Sequence, residues 1–129
     1  MDIFEKELLP FGLIRYGVAP DHQAMKRTAN DMSQVGVQAG LRFIGGVNIV
    51  CLNLLQGRDI PVQFLEDKYS AIIYAYGASK EWKLPELKGN NVISSQDLIR
   101  WYNSHPSLHD FGKNHIKDWK NIYNVVIVG

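Results

Sequence analysis

Residues 2–22 read DIFEKELLPFGLIRYGVAPDH and join a short apolar segment to a stretch rich in glycine and proline. The apolar pattern of residues 2–6 predicts a β-strand that ends at an acidic side chain. Gly12, Gly17 and Pro20 punctuate the stretch that follows, so we predict loop and no helix before residue 20. A strand that runs into such a loop is the beginning of an α/β arrangement.

Three helices are predicted in the rest of the chain. The first begins with Asp21 as N-cap, runs to Gln38 and stops at Gly40. The second covers Val62–Lys68, because a proline precedes it at a position that favours the first helical turn. The third begins at Ser94, whose hydroxyl has an acidic residue three positions later, and ends before a proline.

Four further segments predict strands. Residues 41–44 and 47–50 predict a strand that is interrupted or bent at Gly45-Gly46. Residues 71–76 are nearly all apolar, as is typical of a strand that is covered on both faces of a parallel sheet. Residues 122–128 predict a last strand. Because strands and helices alternate, the predicted fold class is α/β.

Composition excludes several classes of function. The chain has 129 residues, a net charge of +1, 46% apolar residues and 21% charged residues, as in soluble globular proteins. So small a charge gives no field that would attract nucleic acid. No apolar run approaches the roughly 20 residues of a membrane span. The single cysteine excludes an internal disulfide and a thiolate metal cluster.

Glu5 is the residue with the sharpest functional interpretation. In nucleotide-binding α/β units, an acidic side chain at a strand end accepts hydrogen bonds from the hydroxyls of a ribose. The usual context is a glycine-rich loop about 20 residues upstream. The rival interpretation is a solvated residue at the end of a strand, and the residue alone does not decide between them.

The order of motifs resembles the adrenodoxin reductase family, the mitochondrial-type ferredoxin–NADP reductases. The resemblance begins with Glu5-Lys6 and the stretch Pro10–His22. It continues in the family's order through six blocks and a final strand: Phe43–Val47, Gly57–Ile60, Tyr74–Ala78, Leu84–Gly89, Val92–Leu98, Trp101–Pro106 and Val125–Gly129. These blocks cover nearly the whole chain.

The resemblance implies a partial Rossmann-like, three-layer FAD/NAD(P)-binding domain with a parallel sheet and short antiparallel strands. Residues 1–121 would form part of the FAD-binding domain, an interior fragment that lacks the first strand and the glycine-rich loop. Residues 122–129 would be the first strand of a missing NADP-binding domain. The family passes electrons from NADPH through FAD to a ferredoxin- or adrenodoxin-type iron–sulfur protein. By the same analogy, the compartment is the mitochondrion or another organelle and the protein is soluble.

Five residues take cofactor-binding roles by the same resemblance. Glu5 would bind the adenosine ribose of FAD, and Leu13 would line the flavin site within the loop that contains Gly12. Ile49 would hold the adenine through its backbone, and Gly77 would lie close to the cofactor because it lacks a Cβ. No residue is assigned proton chemistry, and the four histidines show no compact metal-ligand spacing with Cys51.

Each assignment has a structural alternative, and the whole chain has a functional one. Leu13 and Ile49 would be buried in any α/β core, and Gly12 and Gly17 could serve backbone angles closed to other residues. The chain also departs from the family at Gly46, at Ser104 and at an apparent insertion, Cys51–Gln56. We expect no NADPH oxidation by this chain alone. The functional alternative is a cofactor-free structural domain that associates with itself through an exposed sheet edge.

Overall fold

The computed structural model describes residues 1–38, 40–51, 57, 59–78, 80–81, 85–87, 89, 92–115 and 121–128. Most of the apparent insertion, residues 52–56, and Gly129 of the last predicted strand lie outside the described residues. Four strands and five α-helices occur in the described ranges. In chain order they are β1 (Asp2–Glu5), α1 (Gly12–Tyr16), α2 (Gln23–Gln38), β2 (Arg42–Gly45), β3 (Ile49–Val50), β4 (Ile60–Pro61), α3 (Val62–Lys68), α4 (Ser95–Tyr102) and α5 (Phe111–His115).

Two small parallel sheets form the β-structure. Strand β1 pairs with β2 in a register that sets Ile3 opposite Phe43 and Glu5 opposite Gly45. Strand β3 pairs with β4, so that Ile49 lies opposite Ile60. The fold is therefore mixed α/β with short parallel strands. The antiparallel strands that we expected do not occur in the part of the chain that the structure describes.

A polar cluster fastens the amino end of the first sheet. The Asp2 carboxylate accepts hydrogen bonds from the Arg42 guanidinium, whose Nε lies 2.8 Å from Oδ1, and from the Tyr69 hydroxyl. The bond from Arg42, and then that from Tyr69, hold the pKa of Asp2 well below its usual range. The same bond to Asp2 raises the pKa of Tyr69. The cluster joins β1, β2 and the residue after α3.

The expectation of loop up to residue 20 is wrong, because α1 is a helix at Gly12–Tyr16. Phe11 precedes it with a left-handed backbone, φ 66°, and the Arg15 Nε donates to the carbonyl of Pro10 at 2.9 Å. The idea that Gly12 and Gly17 serve special backbone angles is also wrong, since neither has a positive φ. Gly17 is required by space instead. A Cβ there would lie 2.9 Å from the carbonyl oxygen of Leu13.

The other predicted helices are confirmed. Helix α2 begins two residues after the predicted Asp21 and ends at the predicted Gln38. Helix α3 has the predicted bounds, and its Leu65 is buried. Helix α4 is capped as predicted by Ser94, whose Oγ accepts from the backbone N–H of Asp97 at 3.1 Å. It ends before Pro106, where a 3-10 helix begins at Pro106–Leu108.

The apolar core of the described residues is small. Among them only Leu65 and Phe111 are buried hydrophobic residues, 5% and 8% exposed. The ring of Phe111 lies 6.2 Å from that of Trp101, centroid to centroid. Most of the remaining apolar side chains are half-buried or exposed, so polar contacts and main-chain hydrogen bonds hold much of this structure in place.

Two predicted strands are absent from the structure. Residues 71–78 and 122–128 belong to neither helix nor strand, and most of their side chains are exposed, with Val126 84% exposed. Both segments have the apolar content of strands but have no paired neighbour among the described residues. An extended segment becomes a strand only when its backbone groups are paired with another strand. No helix in the described ranges has the length and apolarity needed to cross a membrane.

Candidate functional site

Glu5 lies where the carboxyl ends of two parallel strands meet. It is the last residue of β1 and faces Gly45, the last residue of β2. Its carbonyl accepts from the N–H of Val47 at 3.1 Å, and its carboxylate Oε1 accepts from the N–H of Glu7 at 3.1 Å. The carboxylate is thus held by the loop that follows its own strand. Its second oxygen, Oε2, accepts no hydrogen bond from the described residues.

Two glycines close the space beside Glu5. A Cβ at Gly45 would lie 2.5 Å from the carbonyl oxygen of Leu8 and 2.9 Å from that of Glu7, so no larger residue fits without a backbone shift. Gly46 has φ 72° and donates its N–H to the Glu7 carbonyl at 3.0 Å. The interruption that we predicted at Gly45-Gly46 is confirmed, because β2 ends at Gly45 and the next strand, β3, belongs to the other sheet.

Glu7 connects this loop to a buried histidine. Its Oε2 lies 3.5 Å from the Nε2 of His105, a residue that is 8% exposed. The Nδ1 of His105 accepts from the N–H of Ser107 at 3.2 Å, which caps the 3-10 helix. A neutral ring that accepts at Nδ1 carries its proton on Nε2, and that buried nitrogen has no hydrogen-bond partner among the described residues although Glu7 lies near it. The ring of Tyr16 packs edge-on against His105, with centroids 4.5 Å apart.

Gly12 and Leu13 lie at the beginning of α1, beside the same loop. An ideal Cβ at Gly12 would lie 3.6 Å from the Cγ of Glu7, which is an ordinary contact. Leu13 is 79% exposed. The alternative that Leu13 is a core residue is therefore wrong, because its side chain is left for solvent or a ligand.

Ile49 and Gly77 have different surroundings. Ile49 is half-buried in β3, two residues beyond the Val47 that pairs with Glu5. Gly77 lies in the irregular segment 71–78 with φ 63°, a backbone angle that favours glycine, and a Cβ there would meet no described atom within 4 Å.

Three of the five predicted positions lie beside the loop that contains Glu7. Glu5 accepts from the Glu7 N–H, a Cβ at Gly12 would lie 3.6 Å from the Cγ of Glu7, and Leu13 follows Gly12. Ile49 lies in β3, which belongs to the other sheet. No described contact joins Gly77 to the other four. No group of three or more metal-ligating side chains occurs in the described ranges.

Four residues of this region escaped the sequence interpretation: Glu7, Lys26, Asn103 and His105. Lys26 donates from Nζ to the carbonyls of Ile14 and Arg15, at 3.3 and 3.2 Å, and to the Oδ1 of Asn103 at 3.3 Å. Of these four residues, only His105 could have been indicated by a local pattern. It directly precedes Pro106, and a side chain that accepts from the second residue after it is a common cap. The other contacts join residues that are far apart in the sequence.

The fold and site define a mixed α/β protein with a carboxylate at the end of a parallel strand. No protein-family model matches the chain. Several curated proteins do match it. Cindoxin reductase of Citrobacter braakii is 37% identical over 109 residues, covering 84% of this chain and 23% of the relative. The NADPH:adrenodoxin oxidoreductase of Bos taurus, named as mitochondrial, is 40% identical over 110 residues, covering 82% and 20%.

A probable mitochondrial NADPH:adrenodoxin oxidoreductase of Schizosaccharomyces pombe matches over the full length of the chain. It is 33% identical over 131 residues, which is 26% of that relative. This chain belongs to the adrenodoxin reductase family, and the family resemblance seen in its motifs is confirmed. It spans about a quarter or less of the length of these curated relatives.

Proposed function

We propose that this chain supplies part of the FAD site of an NADPH-dependent reductase that passes electrons to an iron–sulfur protein. The observation that carries the proposal is the carboxylate of Glu5 at the end of a parallel strand, where Oε1 is held by the Glu7 N–H and Oε2 accepts no hydrogen bond from the described residues. The relatives support the class of activity, since their names state NADPH:adrenodoxin oxidoreductase and cindoxin reductase.

Five residues would take part in binding FAD. Glu5 would accept a hydrogen bond from a ribose hydroxyl at Oε2, and the backbone of Ile49 would bind the adenine. Gly12 and the exposed Leu13 would face the cofactor, and Gly77 would approach it in the segment 71–78. Bound FAD would supply the redox chemistry, taking a hydride from NADPH and releasing single electrons. The protein's part is to bind and orient the cofactor.

The proposed fold is the Rossmann-like, three-layer FAD domain. Residues 122–129 would become the first strand of an NADP-binding domain only where another strand pairs with them. A ferredoxin- or adrenodoxin-type iron–sulfur protein is the proposed electron acceptor. The mitochondrion or another organelle is the proposed compartment. Because the chain matches 20% to 26% of these relatives, we expect no NADPH-dependent reduction of ferricyanide by these 129 residues alone. A steady reduction rate would contradict that expectation.

Binding of FAD and of AMP to the purified chain tests the proposal. FAD retention is read from the visible flavin absorbance after gel filtration, and AMP affinity is measured by calorimetry. Glu5→Ala removes a charged acceptor, so both affinities should fall by about 10- to 100-fold. Glu66→Ala, at an exposed position on α3, is the matched control and should change neither. If the wild-type chain retains no FAD, or Glu5→Ala binds both ligands as wild type does, the proposal is wrong.

A second candidate function is self-association. The specific observation is that each sheet has only two strands, so each leaves edges unpaired by the described residues, and many apolar side chains are exposed. Sheet edges of this kind invite pairing with another chain. Sedimentation at rising concentration should then show dimers, and Ile3→Lys on β1 should weaken them. Gln34→Lys, at an exposed polar position on α2, adds the same charge without removing an apolar side chain and is the control. A monomer at all concentrations would refute this candidate.

A further inference from the structure

Helix α1 carries two of the proposed cofactor residues, yet little in its own sequence would keep it folded. It has five residues, and isolated helices shorter than about 12 residues are marginal in water. None of its side chains is buried, and Leu13 projects outward. Its stability must therefore come from contacts with other parts of the chain.

Those contacts are polar and converge on the carboxyl end of the helix. Lys26 of α2 donates from Nζ to the carbonyls of Ile14 and Arg15. Asn103, the residue after α4, donates from Nδ2 to the carbonyl of Tyr16 at 3.4 Å. Three consecutive carbonyls that a helix end would leave without partners are satisfied in this way.

Lys26 and Asn103 are also bonded to each other. The ammonium donates to the Oδ1 of Asn103 at 3.3 Å, and the Nδ2 of Asn103 also donates to the Ile99 carbonyl of α4 at 3.0 Å. The pair, which we call the Lys26–Asn103 clamp, ties three helices together at one point. The positive charge of Lys26 is favourable there, because the carboxyl end of a helix carries a partial negative charge.

We propose that the Lys26–Asn103 clamp positions the cofactor-binding residues Gly12 and Leu13. The clamp fixes one end of α1, and a helix of five residues transmits that restraint to its first turn. Lys26 and Asn103 act through α1, so they are positioning residues and need not contact the ligand. This inference rests on the proposed function, since it concerns the flavin-facing part of the same FAD site.

The test separates the two halves of that site. Lys26→Met keeps much of the side-chain length and removes the ammonium, so FAD affinity should fall about tenfold and the visible absorption band of bound flavin should change. AMP affinity should stay at the wild-type value, because AMP probes the Glu5 end. Lys26→Arg keeps the charge and donors and should restore most of the FAD affinity. Lys113→Met, which removes a surface lysine paired with Asp110, is the control and should have no effect.

The outcomes are distinct. Hydrogen exchange at the amides of Arg15 and Gly17, which are bonded within and at the end of α1, should accelerate in Lys26→Met and in Asn103→Leu. The double variant should lose little more than either single one, because the two side chains act together. If wild type binds FAD and Lys26→Met binds it equally well, the clamp inference is overturned and the proposed function stands. An equal loss of FAD and AMP binding would reduce the clamp to a general structural role and overturn it too. Failure of the wild type to bind FAD overturns both.

Discussion

Replacing Gly45 by alanine should destabilise the protein strongly for so small a change. The added Cβ would lie 2.5 Å from the Leu8 carbonyl oxygen, 2.9 Å from that of Glu7 and 2.8 Å from a ring carbon of Phe43. Two of these three atoms belong to the backbone and cannot rotate away. The Glu7 carbonyl is also tethered, because it accepts from the N–H of Gly46 at 3.0 Å.

The magnitude follows from that geometry. Forcing one extra methyl group into a packed site costs about 1–3 kcal/mol, and the upper half of that range applies where backbone must move. For a chain of this length, each kcal/mol lowers the melting temperature by roughly 4 °C. Gly45→Ala should therefore melt about 8–12 °C below wild type. The same backbone shift would disturb the Glu7 N–H that holds Glu5, so FAD retention should fall as well.

Gly36→Ala supplies the matched control. Gly36 lies inside α2, and a Cβ there would meet only a side-chain carbon of Leu41, at 3.7 Å. Removing a glycine from a helix interior stabilises by about 0.5–1 kcal/mol, so this variant should melt a few degrees above wild type. Circular dichroism during heating measures both variants. Equal melting temperatures for Gly45→Ala and wild type would refute the crowding argument, as would a shift of both variants in the same direction.

Two further predictions concern stability. Because the pKa of Asp2 is lowered in the folded protein, its contribution to stability is present above the ordinary value of 3.8 and is lost as pH falls through the lower folded value. Because the pKa of Tyr69 is raised, its contribution to stability is present below 10.0 and is lost as pH rises through the higher folded value. Urea midpoints should therefore fall at both pH extremes, and in Tyr69→Phe the alkaline fall should be smaller; an unchanged alkaline limb would count against the cluster. Ser94→Ala removes the cap of α4 and should cost about 1 kcal/mol in urea unfolding, while Ser33→Ala, an exposed serine inside α2, should cost less than about half of that. Equal losses in the two serine variants would contradict the capping role.

Features that depend on neighbouring residues were predictable from the sequence. The beginning of α3 follows from a proline directly before it, and the beginning of α4 follows from a serine that caps it. The strand that ends at Glu5, and the interruption at Gly45-Gly46, are local signals of the same kind. The position of Glu5 at a strand end was therefore predictable, whereas its hydrogen bond to the Glu7 N–H was not.

Features that depend on distant partners were not predictable. Residues 71–76 and 122–128 have the composition of strands, but a strand also needs another strand beside it, and the described residues provide none. For helix α1 the error was the reverse, since a loop was predicted and a helix is present. Its glycines favoured a loop, but Lys26 and Asn103, from α2 and the end of α4, satisfy its last carbonyls and stabilise a helix there. The bond between Lys26 and Asn103 joins residues 77 positions apart, and no local pattern contains that information.

The distribution of polar and apolar contacts also separates the two proposed functions physically. The surroundings of Glu5 are ordered by main-chain hydrogen bonds at Glu7, Gly46 and Val47 and not by apolar burial. The exposed apolar side chains of residues 122–128 belong to a different segment, and none of them takes part in those hydrogen bonds. Covering that surface would remove apolar area from water, which is favourable at roughly 25 cal/mol per Å² whatever covers it. FAD binding depends on a few directed acceptors and should respond to Glu5→Ala, whereas self-association depends on exposed apolar area and open sheet edges and should not. A variant that abolished both properties at once would show that they share one surface.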